Sequence, residues 1–263
     1  MKVSHESPLC LLEQSRNYND YDYALVHLFE TNKEYLDFFM KSKEMGREII
    51  LDNSIFELGE SFEMSRFAYW VNYLKPTFYI IPDVLDDAEG TIANIEKWMS
   101  EYAPTIDPSC KIMCVLQGKC YQDMVQCYNV AEKYADKIAI SFNSAYFTKE
   151  FSNCPREYAW MLGRMNLIYR LDRDLVLNHH KMHHLLGVAL PQEIQYYRNM
   201  DYITTVDTSN PIVHGILNVS YTENGLDRKM DTKLVDLLNY VINDEQKELI
   251  NNNLNRFKVF ANE

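Results

Sequence analysis

Polar residues recur where runs of β-branched and aromatic residues give out. Asp52 closes REIILDN, Asp83 closes FYIIPDV, Gln117 closes IMCVLQG and Asn143 closes KIAISFN, with Ser141 just before it. Gly187 ends HHLLGVA, and Asp207 follows Tyr202 to Val206 on a turn of Thr208, Ser209, Asn210 and Pro211. A carboxylate can attack a substrate or carry protons, and a glutamine amide both donates and accepts hydrogen bonds. An acid at the C-terminal end of a strand, followed by a turn, is where α/β barrels keep their chemistry. These strand ends converge on one pocket if the sheet closes.

The elements that must position them alternate along the chain. Residues 7–12 and 22–29 are apolar or alternating and supply a first strand and its partner. Spacing predicts helices over 32–43, 64–74, 87–102, 121–134, 157–171, 191–198, 232–242 and 245–257. It predicts strands over 48–52, 78–81, 111–116, 138–142, 183–188 and 202–206, with apolar 212–219 as the last. Asn53 to Glu60 reads as a loop, and Asp86 and Asp87 read as caps of the helix that follows them. Strand–helix alternation with short connections means a parallel sheet with helices outside. With 263 residues, the expectation is an α/β fold, a single (β/α)8 TIM barrel, forming one domain over 1–263. A doubly wound open sheet lacks support, because no glycine-rich phosphate loop follows the first strand.

Apolar residues make up 47% of the chain, which suits a globular protein. No apolar run approaches a membrane span, and MKVSHESPLC lacks the apolar core of a signal peptide. The expectation is a soluble cytoplasmic protein without a membrane partner. The cysteines show no paired CxxC spacing and read as reduced thiols. A net charge of -12 argues against a large basic nucleic-acid footprint. Only the stretch from Arg156 to His184, with His179, His180 and His183, combines prevailing positive charge with clustered histidines, and it reads as a rim or a solvated surface. A metal site there is not expected, since strand alternation sends neighbouring histidines to opposite faces.

The ordered set of strand ends resembles the tRNA-guanine transglycosylase family, including its phage and bacterial DNA-modifying relatives. LDNSIF stands where that family has an LDSGGF-like segment, IIPDVLDD offers its second acid, and VLQGK matches VQGG. LLGVALPQEI matches its GVG-xP strand, and VDTSNP its last Asp and turn. The match runs in order over about residues 48–215 and is specific as an ensemble. The sequence departs from the pattern at Ser54-Ile55, at AISFNSAYF, and in the family's zinc ligands, since no cysteine follows Cys154.

The resemblance implies a TIM-barrel pentosyltransferase. It would exchange guanine in a nucleic acid, DNA in preference to tRNA, for a 7-deazaguanine base, with no cofactor and no zinc. Asp207 would be the nucleophile that forms the glycosyl intermediate, and Asp52 the acid/base. Asp83, Gln117 and Gly118 would read the base, with Ser141, Asn143 and Gly187 beside it. The acidic balance calls for partner proteins that supply DNA binding. The alternative is a non-catalytic or hydrolytic nucleobase-binding barrel. Schiff-base lyase chemistry is disfavoured, because no lysine stands at a strand end.

Overall fold

A computed structural model describes residues 1–262. Its eight strands form one sheet, every pair parallel, that curls into a nearly closed barrel. They are β1 (Lys2–Ser4), β2 (Asp22–Leu25), β3 (Ile49–Asp52), β4 (Phe78–Ile80), β5 (Lys111–Leu116), β6 (Lys137–Ser141), β7 (Met182–Leu186) and β8 (Ile203–Asp207). Helices connect them and cover the outside. The chain is therefore an α/β protein, a (β/α)8 TIM barrel. Strands such as β3, Ile-Ile-Leu-Asp, are buried at every position, as a sheet covered on both faces requires.

The helices form where apolar spacing and caps agree. Met64–Leu74 buries Phe67, Val71 and Leu74 on one stripe. The Glu63 carboxylate accepts from the backbone N–H groups of Ser65 and Arg66 at its start. Asn32 caps Lys33–Glu44 through the Tyr35 N–H, and Asp87 caps Ala88–Lys97 through the Gly90 N–H. Asp86 does not cap that helix. Its carboxylate accepts from the Ala145 N–H and the Ser144 hydroxyl, both at 3.0 Å, and so anchors the helix after β6 instead.

Further expectations fail. Residues 53–60, expected as a loop, hold the helical turn Ile55–Leu58, and the strand from Asp22 ends at Leu25 where the helix Val26–Thr31 begins. The first strand is Lys2–Ser4, while residues 9–15 form a 3-10 turn and one turn of α-helix. Residues 212–219 form no strand. Asn210–Ile216 is a helix with Pro211 in its first turn, buried on all sides, and a run buried all round carries no period to betray it. Of 232–242, only Leu234–Leu237 is helical, as a 3-10 turn. Its spaced Leu234, Leu238 and Ile242 are buried in an irregular segment instead.

The hydrogen-bond ladder runs from β1 through β8 and down to β2, so β1 and β2 meet at a seam without a ladder. One backbone bond, from the Asp20 N–H to the Val3 carbonyl at 2.9 Å, and several side-chain bonds stand in for it. Asp20 Oδ2 accepts from the Val3 N–H at 2.8 Å, and Asn19 bonds both backbone groups of His5, at 2.7 and 3.0 Å. The edges that an incomplete closure leaves are thus satisfied from the β1–β2 connection.

Candidate active site

The C-terminal strand ends surround a cavity that opens to solvent. Asp52, Asp83, Gln117, Ser141, Asn143, Gly187 and Asp207 all line it. Phe56, Phe142 and Leu85 add apolar wall, and Lys229 and Lys233 stand among the residues from the segment after β8.

Asp207 closes β8 and is buried. Its Oδ1 is hydrogen-bonded to His184 Nε2 at 2.9 Å and accepts from the Gly187 backbone N–H at 3.2 Å. Gly187 has φ +61, and a Cβ there would lie 2.5 Å from the Phe142 ring. Only glycine therefore offers its amide to Asp207 without displacing that ring. Behind it, the buried Arg164 guanidinium donates to the carbonyls of Ile140, Leu186 and Gly187 and pairs with Glu193 at 2.6 Å. The loop that carries the Gly187 amide is thereby fixed.

Asp52 closes β3. Its Oδ2 accepts from the Tyr23 hydroxyl at 2.6 Å, and its Oδ1 from the Ser54 N–H. Ser54 has φ +64, left-handed backbone that a non-glycine residue seldom adopts. Burial pushes the Asp52 carboxyl well up, Glu57 and Asp207 add repulsion, and the Tyr23 and Ser54 bonds only oppose this.

Asp83 receives Asn53 Nδ2 and Gln117 Nε2, each at 2.7 Å, while Gln117 Oε1 accepts from the Asp86 N–H at 2.9 Å. Burial moves Asp83 upward against these two bonds. A carboxylate has about four acceptor sites and an amide two donors, so each keeps capacity for a ligand. Ser141 Oγ donates to Asn143 Oδ1 at 2.8 Å at the cavity edge. Gly118 does not line the cavity. A Cβ on it would lie 2.6 Å from Asp123 Cβ, so its role is close packing against the following helix.

Two acids in the cavity escaped the sequence reading. Glu6 follows β1, and Glu57 lies in the short helix Ile55–Leu58. Burial pushes the Glu6 carboxyl well above its ordinary range, with Asp207, Glu57 and Asp52 reinforcing it. Burial raises Glu57 to about 7, with the Lys233 ammonium opposing. A first strand placed at Lys2–Ser4 would have exposed Glu6 as another strand-end acid.

The histidine cluster divides: His179 and His180 are exposed, as a solvated surface predicts, while the other two depart from that expectation. His183 and His184 are fully buried on opposite faces of β7, His183 against Tyr128 at 3.0 Å and His184 against Asp207. Nor is the stretch around it a basic footprint. Arg156 pairs with Asp231, Arg170 with Glu150, Arg173 with Asp174, and His179 with Asp172. Among the described residues, no group of three His, Cys, Asp or Glu side chains gathers to hold a metal ion. A scan of protein-family models and a search of curated proteins both return no match. No described helix is long and apolar enough to cross a membrane.

Chemically, the cavity sets Asp207, with the Gly187 N–H and His184 on one oxygen, among acids that burial holds toward their protonated forms.

Proposed function

We propose that this cavity carries base exchange: guanine in a nucleic acid leaves, and a 7-deazaguanine base takes its place. The observation behind it is the contrast between Asp207 and Asp52 in one cavity. Asp207 accepts from the Gly187 N–H and meets His184, contacts that stabilise an anion. Asp52 is pushed upward, as a proton donor needs.

An Asp207 oxygen attacks the anomeric carbon, the C–N bond breaks, and its electron pair leaves with guanine. Asp52 gives the departing base a proton. The incoming base returns a proton from its ring N–H to Asp52, and its nitrogen attacks the anomeric carbon and frees Asp207. Asp83 accepts from the ring N–H and exocyclic amine of a guanine-like base, and the remaining Gln117 N–H donates to its carbonyl. Phe56 and Phe142, edge to face with centroids 5.8 Å apart, offer apolar contact.

DNA is preferred over tRNA on the resemblance to DNA-modifying members of the family. The net charge of -12 and the paired arginines of residues 156–173 leave nucleic-acid binding to partner proteins. The test is incorporation of labelled guanine into DNA and into tRNA, with nucleoside mass spectrometry of both from expressing cells. Incorporation by wild type and its loss in Asp207→Asn are expected. Base binding without exchange in wild type would replace this reading by the base-binding barrel.

A further inference from the structure

A line of polar side chains runs through the barrel interior beneath Asp207. Lys137, at the first position of β6, is 1% exposed and donates from Nζ to Thr205 Oγ1 at 3.1 Å. Thr205 Oγ1 lies 2.8 Å from His184 Nδ1, and His184 Nε2 lies 2.9 Å from Asp207 Oδ1. Both Thr205 and His184 are buried. A lysine, a threonine and a histidine in the core of a small barrel are costly unless their hydrogen bonds are complete.

The direction of the donors follows from counting hydrogens. The Lys137 ammonium has no acceptor capacity, so Thr205 Oγ1 accepts from it. Burial lowers the Lys137 ammonium to about 8, with Glu48 at 4.0 Å opposing, so the amine stays charged at neutral pH and below; the Phe78 ring, 4.1 Å from Nζ to its centroid, favours the same form. The Thr205 hydroxyl hydrogen then has one partner, His184 Nδ1. A neutral imidazole that accepts at Nδ1 carries its hydrogen on Nε2, and Nε2 donates to Asp207. In the reverse order, Lys137 and His184 would both donate to Thr205 Oγ1, and the buried hydroxyl hydrogen would have no acceptor. Leaving one such group unmade costs about 1–3 kcal/mol. Burial moves His184 below its ordinary value, which keeps the ring neutral and the count intact.

We propose that Lys137, Thr205 and His184 are positioning residues: a one-way chain of donors that locks His184 as its Nε2–H tautomer and aims that hydrogen at Asp207 Oδ1. It rests on the reading of Asp207 as nucleophile only for its purpose, not for its geometry. The fold's unusual feature is that the charge setting the order lies at the opposite end of the barrel from the chemistry.

The experiment is long-range proton–nitrogen NMR on the whole protein labelled with 15N-histidine, with His184 assigned through the backbone. It needs no substrate, so it stands or falls apart from base exchange. In wild type, His184 is expected as a neutral ring with Nε2 protonated and Nδ1 bare. Thr205→Val removes the hydroxyl at nearly constant volume and should release the ring to a mixture of tautomers. Thr205→Ser keeps the hydroxyl and should restore the wild-type pattern. A wild-type ring protonated on Nδ1, or on both nitrogens, would overturn the proposal even if every variant failed to fold. So would a Thr205→Val spectrum with the wild-type tautomer.

Discussion

Two groups of buried charge lie close together in this barrel and are treated in opposite ways. Arg164 and Glu193 are fully buried and matched in charge, with Arg164 Nη2 and Glu193 Oε2 left without a hydrogen-bond partner. The guanidinium meets a carboxylate and the carbonyls around Gly187, and the carboxylate also accepts from Tyr197 at 2.8 Å. In the cavity beyond Gly187, Glu6, Asp52, Glu57 and Asp207 come together, and the Lys233 ammonium opposes the upward shift of Glu57. The Lys233 ammonium itself donates to the Phe56 carbonyl at 2.7 Å. Matched charge fixes backbone; mismatched charge leaves protonation states to be used. On the proposed reading, the difference separates the residues that hold the site from those that act in it.

The largest effect that would test this is at Asp207. Asp207→Asn keeps the shape and removes the charge, so base exchange should fall about 10³-fold. Thermal stability should hold or rise, because like-charge repulsion is relieved. An exchange assay beside a melting curve reads both, and a variant with near wild-type exchange would remove Asp207 from the chemistry. On the matched side the signs invert. Arg164→Met strands the Glu193 carboxylate and should cost about 3–5 kcal/mol in denaturant unfolding. A loss under 1 kcal/mol would show that the pair does not anchor the Gly187 loop.

Asp52→Asn ranks next. Exchange should drop on the order of 10²-fold while base binding, followed by titration calorimetry, persists, since the amide keeps the Tyr23 contact but carries no labile acid proton. Loss of binding in parallel with exchange would make Asp52 a binding group instead.

The smallest effect is at Glu57. Its folded value of about 7 lies above that of the unfolded chain, so its contribution to stability is complete below the ordinary glutamate range and is lost as pH rises toward 7. Stability should therefore fall by about 1 kcal/mol between pH 4.5 and 7, the full linkage being discounted for partial exposure of the side chain. Glu57→Gln should flatten that slope, and an unchanged slope would place Glu57 in solvent.

Much of the barrel was legible because its local signals agree. Met64–Leu74, Lys111–Leu116 and Tyr121–Tyr134 stand at their predicted limits, where apolar period and terminators coincide. Asp52, Asp83, Gln117 and Asp207 were found for the same reason: each ends a β-branched run at a break. Glu6 escaped because β1 has only three residues and SPLCLL nearby looks more like a strand. His184 escaped because a polar residue inside a strand normally faces solvent, and only the closed barrel turns that face inward. Asn210–Ile216 was misread because burial on every side erases the difference between helix and strand.

The seam between β1 and β2 gives the barrel a grain. Everywhere else, parting two strands breaks a ladder; here it breaks only the bonds made by Asn19 and Asp20. Such a closure behaves as a clasp, the line along which backbone amides exchange with solvent first and the wall yields at least cost. Glu6 stands just past β1, at one lip of that clasp, while Asp52 ends a strand laddered on both sides. The acid nearest the seam is thus held by the ladder on the β8 side alone, and on the β2 side by the few bonds of Asn19 and Asp20.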